Sequence, residues 1–135
     1  MKLYQLILTD TELSYENYSE DFLIGIFASR EEAERTAKYY LQNVTGFSEY
    51  PCTYRIEEKE VIRAEHLPET IWIIQGYDEN ENLDEINILE SNCFLTKQEA
   101  LHELDRLQKL YQRENWCINR WNIGEWHWKE GFCRV

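Results

Sequence analysis

Phe27-Ala28-Ser29-Arg30-Glu31-Glu32-Ala33 and Phe94-Leu95-Thr96-Lys97-Gln98-Glu99-Ala100 carry one pattern twice, 67 residues apart. In each, a hydroxyl residue stands two places after a phenylalanine, and a glutamate stands three beyond the hydroxyl. This is a capping box. The hydroxyl accepts from the N3 amide, and the carboxylate reaches back to the amide of the cap residue. Both stretches therefore read as a strand passing directly into a helix.

The flanks repeat as well. Leu3-Tyr4-Gln5-Leu6 and Ile71-Trp72-Ile73-Ile74 read as opening strands, and Asp10 to Asp21 and Asp78 to Glu85 as acidic, turn-rich connections. Cys52 to Val61, and the residues from Trp116 onward, read as closing strands that contain aromatics. Each half is thus β-β-α-β. The first helix is expected from Ser29 to about Asn43–Val44, with an apolar stripe of Ala33, Ala37, Tyr40, Leu41 and Val44 and a stop at Gly46. The second is expected from Thr96 to about Gln112–Arg113. Its stripe is Ala100, Leu104, Leu107 and Tyr111, widened by Leu101 and Leu110. Pro68 marks the junction, so the repeats span about 1–67 and 68–135, and each carries thirteen acids and seven bases. So short a linker predicts one compact α+β domain: six or more strands in one or two mostly antiparallel sheets, with two helices on one face.

The first half resembles a family of small, uncharacterised bacterial domains. The matching residues are Ile24-Gly25-Ile26-Phe27, Glu31-Glu32-Ala33, Gly46-Phe47-Ser48-Glu49-Tyr50-Pro51 and Tyr54-Arg55-Ile56-Glu57. The second half keeps the strand-to-helix junction but has Gln112-Arg113-Glu114-Asn115-Trp116 in place of the Gly-Phe-x-x-Tyr-Pro exit. The resemblance covers about residues 1–63. It implies a compact α+β domain of bacterial origin, arranged here as a tandem duplication, and it implies no activity.

Composition excludes several classes. The chain has 135 residues, 43% hydrophobic and 14% aromatic, which is globular rather than disordered. A net charge of −12, with no basic patch, repels phosphate and argues against direct nucleic-acid binding. The opening Met1-Lys2-Leu3-Tyr4-Gln5-Leu6-Ile7-Leu8-Thr9-Asp10 is too short and too polar for a signal peptide, and no run is long enough for a membrane helix, so a cytoplasmic protein with no membrane partner is expected. Cys52, Cys93, Cys117 and Cys133 make no C-x-x-C and no zinc spacing, and read as small hydrophobes in or near the core.

Candidate sites are few. Asp78-Glu79-Asn80-Glu81-Asn82-Leu83-Asp84-Glu85 alternates oxygen ligands, but Leu83 and Leu89 stand where a calcium loop needs Gly and Glu, so it reads as a solvated hairpin loop. His66, His102 and His127 have no His or Cys partner at short spacing. No nucleophile elbow or phosphate loop occurs, and the five glycines are scattered. No catalytic, metal or cofactor residue is therefore assigned.

Four of the five tryptophans fall within Trp116–Trp128. Strand alternation there puts Trp126 and Trp128 on one face and His127 on the other. Trp121, Trp126 and Trp128 are the candidate protein-binding patch, since tryptophan is favoured at binding hot spots and an acidic rim speeds docking to a basic partner. The leading expectation is a non-enzymatic binding module, immunity-like or inhibitor-like, that covers a basic protein. The alternatives are a structural or adaptor module that self-associates as a homo-oligomer, and a small-molecule binder using a cleft between the repeats.

Overall fold

Six strands and two helices follow in the order β1 (Lys2–Tyr15), β2 (Tyr18–Phe27), α1 (Arg30–Asn43), β3 (Cys52–Glu60), β4 (Thr70–Asn80), β5 (Glu85–Glu90), α2 (Lys97–Leu110) and β6 (Asn115–Asn122). The computed structural model describes residues 1–15, 18–80, 85–112 and 115–133, with side chains described at all of these except 13–15, 18–19, 78–80 and 85–88. The β-β-α-β unit is present twice. The six strands form two three-stranded sheets, ordered β2-β1-β3 and β5-β4-β6. Each packs its own helix: α1 lies on β1 and β2, and α2 on β4 and β6.

The caps form at the residues that the pattern names. Ser29 Oγ accepts from the Glu32 amide at 3.2 Å, and Thr96 Oγ1 from the Glu99 amide at 3.1 Å. Both cap residues are extended, with φ/ψ of −137/154 and −130/153. In the second box the hydroxyl of Thr96 also lies 3.3 Å from the Glu99 carboxylate. The N1 cation is repeated too: Arg30 stands 5.5 Å over the Tyr4 ring, and Lys97 stands 5.9 Å over Trp72.

Register carries the same repeat. Tyr4 faces Phe27 and Trp72 faces Phe94. Between Leu6 and Ile7 the register slips, so Ile24 is the extra residue of a bulge. The second sheet slips at the matching place: Gln75 still faces Glu90, and Ser91 exchanges hydrogen bonds with Ile74.

Three local expectations change. Asp10 to Asp21 is mostly strand, with Tyr15 facing Tyr18, because Thr9, Thr11 and Tyr15 suit an extended hairpin arm better than a turn-rich loop. The acidic stretch 78–85 likewise enters β4 and β5 at its ends, while its central residues 81–84 lie outside the described residues. Helix α2 ends at Leu110, and Leu101 and Leu110 are exposed rather than part of the stripe.

One face of each sheet meets its helix. Leu6, Leu8, Phe22, Ile24, Ala33, Ala37 and Tyr40 form one core, and Ile74, Phe94, Ala100 and Leu107 form another. The opposite faces are buried as well, through Leu3, Gln5 and Ile7 on β1 and through Ile71 and Ile73 on β4. Gln5, where the other repeat has Ile73, is buried with neither amide atom hydrogen-bonded among the described residues.

By contacts the chain forms two units. The first unit is Lys2–Lys59 with the segment from Ile123 onward, and the second is Met1 with Glu60–Asn122. The residues that follow β3 thus belong with the second sheet, and those that follow β6 belong with the first. The two repeats exchange their ends.

Candidate functional site

In the first unit, the residues after β6 are laid along β2. The Gly124 N–H donates to the Ile26 carbonyl at 2.8 Å, and the His127 N–H donates to the bulge carbonyl of Ile24 at 2.7 Å. The Tyr40 hydroxyl donates to the His127 carbonyl at 2.7 Å, and the Phe132 N–H to the Thr45 carbonyl at 3.1 Å. Trp126 packs on Tyr39 and Tyr40, at 5.4 and 5.5 Å between centroids. Phe132 stacks on Phe22 at 4.7 Å and meets Phe47 edge-on at 5.0 Å. The tail therefore fills the groove between α1 and β2 with two aromatic anchors.

Two glycines admit it. A Cβ on Gly25 would stand 2.5 Å from the Glu125 carbonyl oxygen. Gly131, at φ 78, would bring one to 1.8 Å from the Thr45 carbonyl oxygen.

The second unit has the same groove. Ile62, just after β3, donates to the Cys93 carbonyl at 2.9 Å, as Gly124 does to Ile26 one repeat away. The likeness stops there. Asn92 stands in place of Gly25, and the chain turns at Arg63, whose φ is 61. Asn92 carries a Cβ where the first unit needs none, so the backbone after Ile62 cannot follow the path that Glu125 takes. The groove stays open, as two adjoining depressions of about 420 and 560 Å³ that share Ile62, Phe94 and Glu103.

Part of the wall of the filled groove is repeated in the open one. The larger share of repeat counterparts line the 420 Å³ depression: Leu89 for Phe22, Ser91 for Ile24, Arg106 for Tyr39 and Leu107 for Tyr40. Glu99 and His102 border the other depression. Arg106 donates through Nε to Glu103 at 2.8 Å, with a second contact from Nη2, and the carboxylate raises the guanidinium further above its ordinary pKa. Apolar walls with carboxylates and guanidiniums at the rim suit a side chain with an apolar body, presented on an extended backbone.

Of the three tryptophans of the expected patch, one belongs to the second unit and two to the first. Trp121 is half-buried on β6, paired with Ile71 in the second unit. Trp126 is spent on the groove of the first unit. Trp128 is 47% exposed and packs edge-on against Phe22 at 4.9 Å. The alternation expected across Trp126–Trp128 is not that of a strand: β6 ends at Asn122, Gly124 has φ 83 and Trp128 has φ 59. His66 and His102 are exposed. Among the described residues, no group of three or more His, Cys, Asp or Glu is placed to hold a metal ion. Of the cysteines, Cys93 is buried, Cys52 and Cys117 are half-buried, and Cys133 is exposed. No described helix is long and apolar enough to cross a membrane.

No family model matches the chain, and neither a curated protein nor a solved structure matches it. The resemblance of residues 1–63 to a bacterial family thus has no support beyond its motifs, whereas the twofold repeat is plain in both sheets. The groove residues escaped the sequence reading. The signal was available in the difference between the repeats at Gly25 and Asn92, once it is known that the tail must pass Gly25.

Proposed function

We propose that this protein is a non-enzymatic protein-binding module, and that its binding surface is the open groove beside α2 rather than the tryptophan patch. One observation carries this reading. The equivalent groove in the first unit is filled by a protein segment, the chain's own Gly124–Phe132. A net charge of −12 favours a basic partner, through faster encounter and rejection of acidic surfaces. An immunity-like or inhibitor-like role, in which the module covers a basic protein, fits this chemistry.

The test is a photo-crosslinking residue placed at Tyr111, which borders the groove and is 43% exposed, with a control at Lys38 on α1. An adduct with a second protein from position 111 and not from 38, weakened by salt, is the expected result. An adduct of twice the chain's own mass would reassign the module to self-association. No adduct at either position would remove the reading.

A further inference from the structure

We infer that the open groove takes a peptide segment bearing aromatic side chains, held by a backbone hydrogen bond at the bulge of the second repeat. The inference deepens the protein-binding reading and rests on it.

The filled groove supplies the template. There the tail contributes one backbone bond to the bulge carbonyl of Ile24, one indole over Tyr40, and one phenyl ring on Phe22. The counterparts in the second unit are the Ser91 carbonyl, Leu107 and Leu89. Leu107 and Leu89 are smaller than Tyr40 and Phe22, so the open groove offers more room over its walls for a ring. Arg106 replaces Tyr39, and a ring seated on Leu107 would meet a guanidinium instead of a phenol, which is a favourable cation–π partner.

The place of entry is also constrained. Ile62 already holds the position of Gly124, and Asn92 blocks the path of Glu125. A ligand therefore begins at the equivalent of Trp126 and runs toward the equivalent of Phe132. Such a segment draws affinity from its backbone hydrogen bond and from burial of its rings, and specificity from the walls that receive them. The bulge carbonyl of Ser91 and the Leu107–Leu89 wall provide one of each.

The probe is a capped heptapeptide with the sequence of Trp126–Phe132, titrated into the full chain and followed by amide chemical shifts. Saturable binding is expected, with shifts at Ser91–Phe94 and Arg106–Tyr111. A peptide with alanine in place of its first and last residues should bind at least about tenfold weaker, as loss of buried aromatic anchors implies. Asn92→Gly, at an exposed position, should tighten binding severalfold by opening the path that Gly25 opens in the first unit. Three results would overturn the inference: no saturation, equal binding of the alanine peptide, or shifts confined to Phe22, Tyr40 and Phe47, which would mean displacement of the chain's own tail. A crosslinked partner at Tyr111 together with a failed peptide would leave the protein-binding reading standing and remove this one.

Discussion

Tyr40 is fully buried, and its hydroxyl ties α1 to the tail through the His127 carbonyl. Burial, with a smaller contribution from Tyr39, pushes its pKa up from 10.0 to about 12. The unfolded chain ionises near 10 and the folded one near 12, so this contribution is fully present below pH 10 and is lost as the pH rises toward 12. Tyr40→Phe should cost about 1 kcal/mol at neutral pH, the typical net worth of such a hydrogen bond. It should also flatten the fall in stability between pH 10 and 12. Urea unfolding across that range checks both effects, and an unchanged alkaline slope in the variant would show that Tyr40 does not set it.

At the scale of elements, the two repeats use one set of instructions. Hydroxyl caps at Ser29 and Thr96 start both helices, and a bulge follows the same register in both sheets. One difference between them is a backbone approach at Gly25. Gly25→Ala should destabilise the protein by about 1–3 kcal/mol, because the atom in the way is a backbone oxygen and not a flexible side chain. Asn92→Ala, which at the equivalent exposed site keeps the Cβ already present and removes only the amide, should stay within about 0.5 kcal/mol. Urea midpoints of the pair decide it, and equal effects would remove the account of why one groove is filled and the other open. The caps and the helix stripes were legible from sequence because they are local: their partners lie three or four residues away. The long hairpin arms were not, since Asp and Glu read as turn residues until the ladder that Tyr15 and Tyr18 close is seen.

At the scale of the whole molecule, the exchange of ends makes the first unit depend on residues from the far end of the chain. Deleting everything from Ile123 onward removes Trp126 and Phe132 from the first core and none of the second. The expected cost is at least about 3 kcal/mol, from the range for losing a large buried aromatic. Native-state hydrogen exchange should show lost protection in β2 and α1, with that of β4 and β6 largely kept. A uniform loss over both sheets would contradict this division of the chain.

The amino-acid sequence alone determined the twofold repeat, the β-β-α-β order, the start of both helices and the acidic character, because each rests on periodicity or spacing within a few residues. Only the tertiary structure decided that the strands divide into two sheets, that the tail joins the first unit, and that Trp126 closes one groove while its twin stays open. Those outcomes turn on contacts between residues about a hundred positions apart, such as Gly124 with Ile26 and Glu125 with Gly25. Local pattern carries no record of such a meeting. The Cβ that Gly25 lacks and Asn92 has becomes decisive only when another strand arrives beside it.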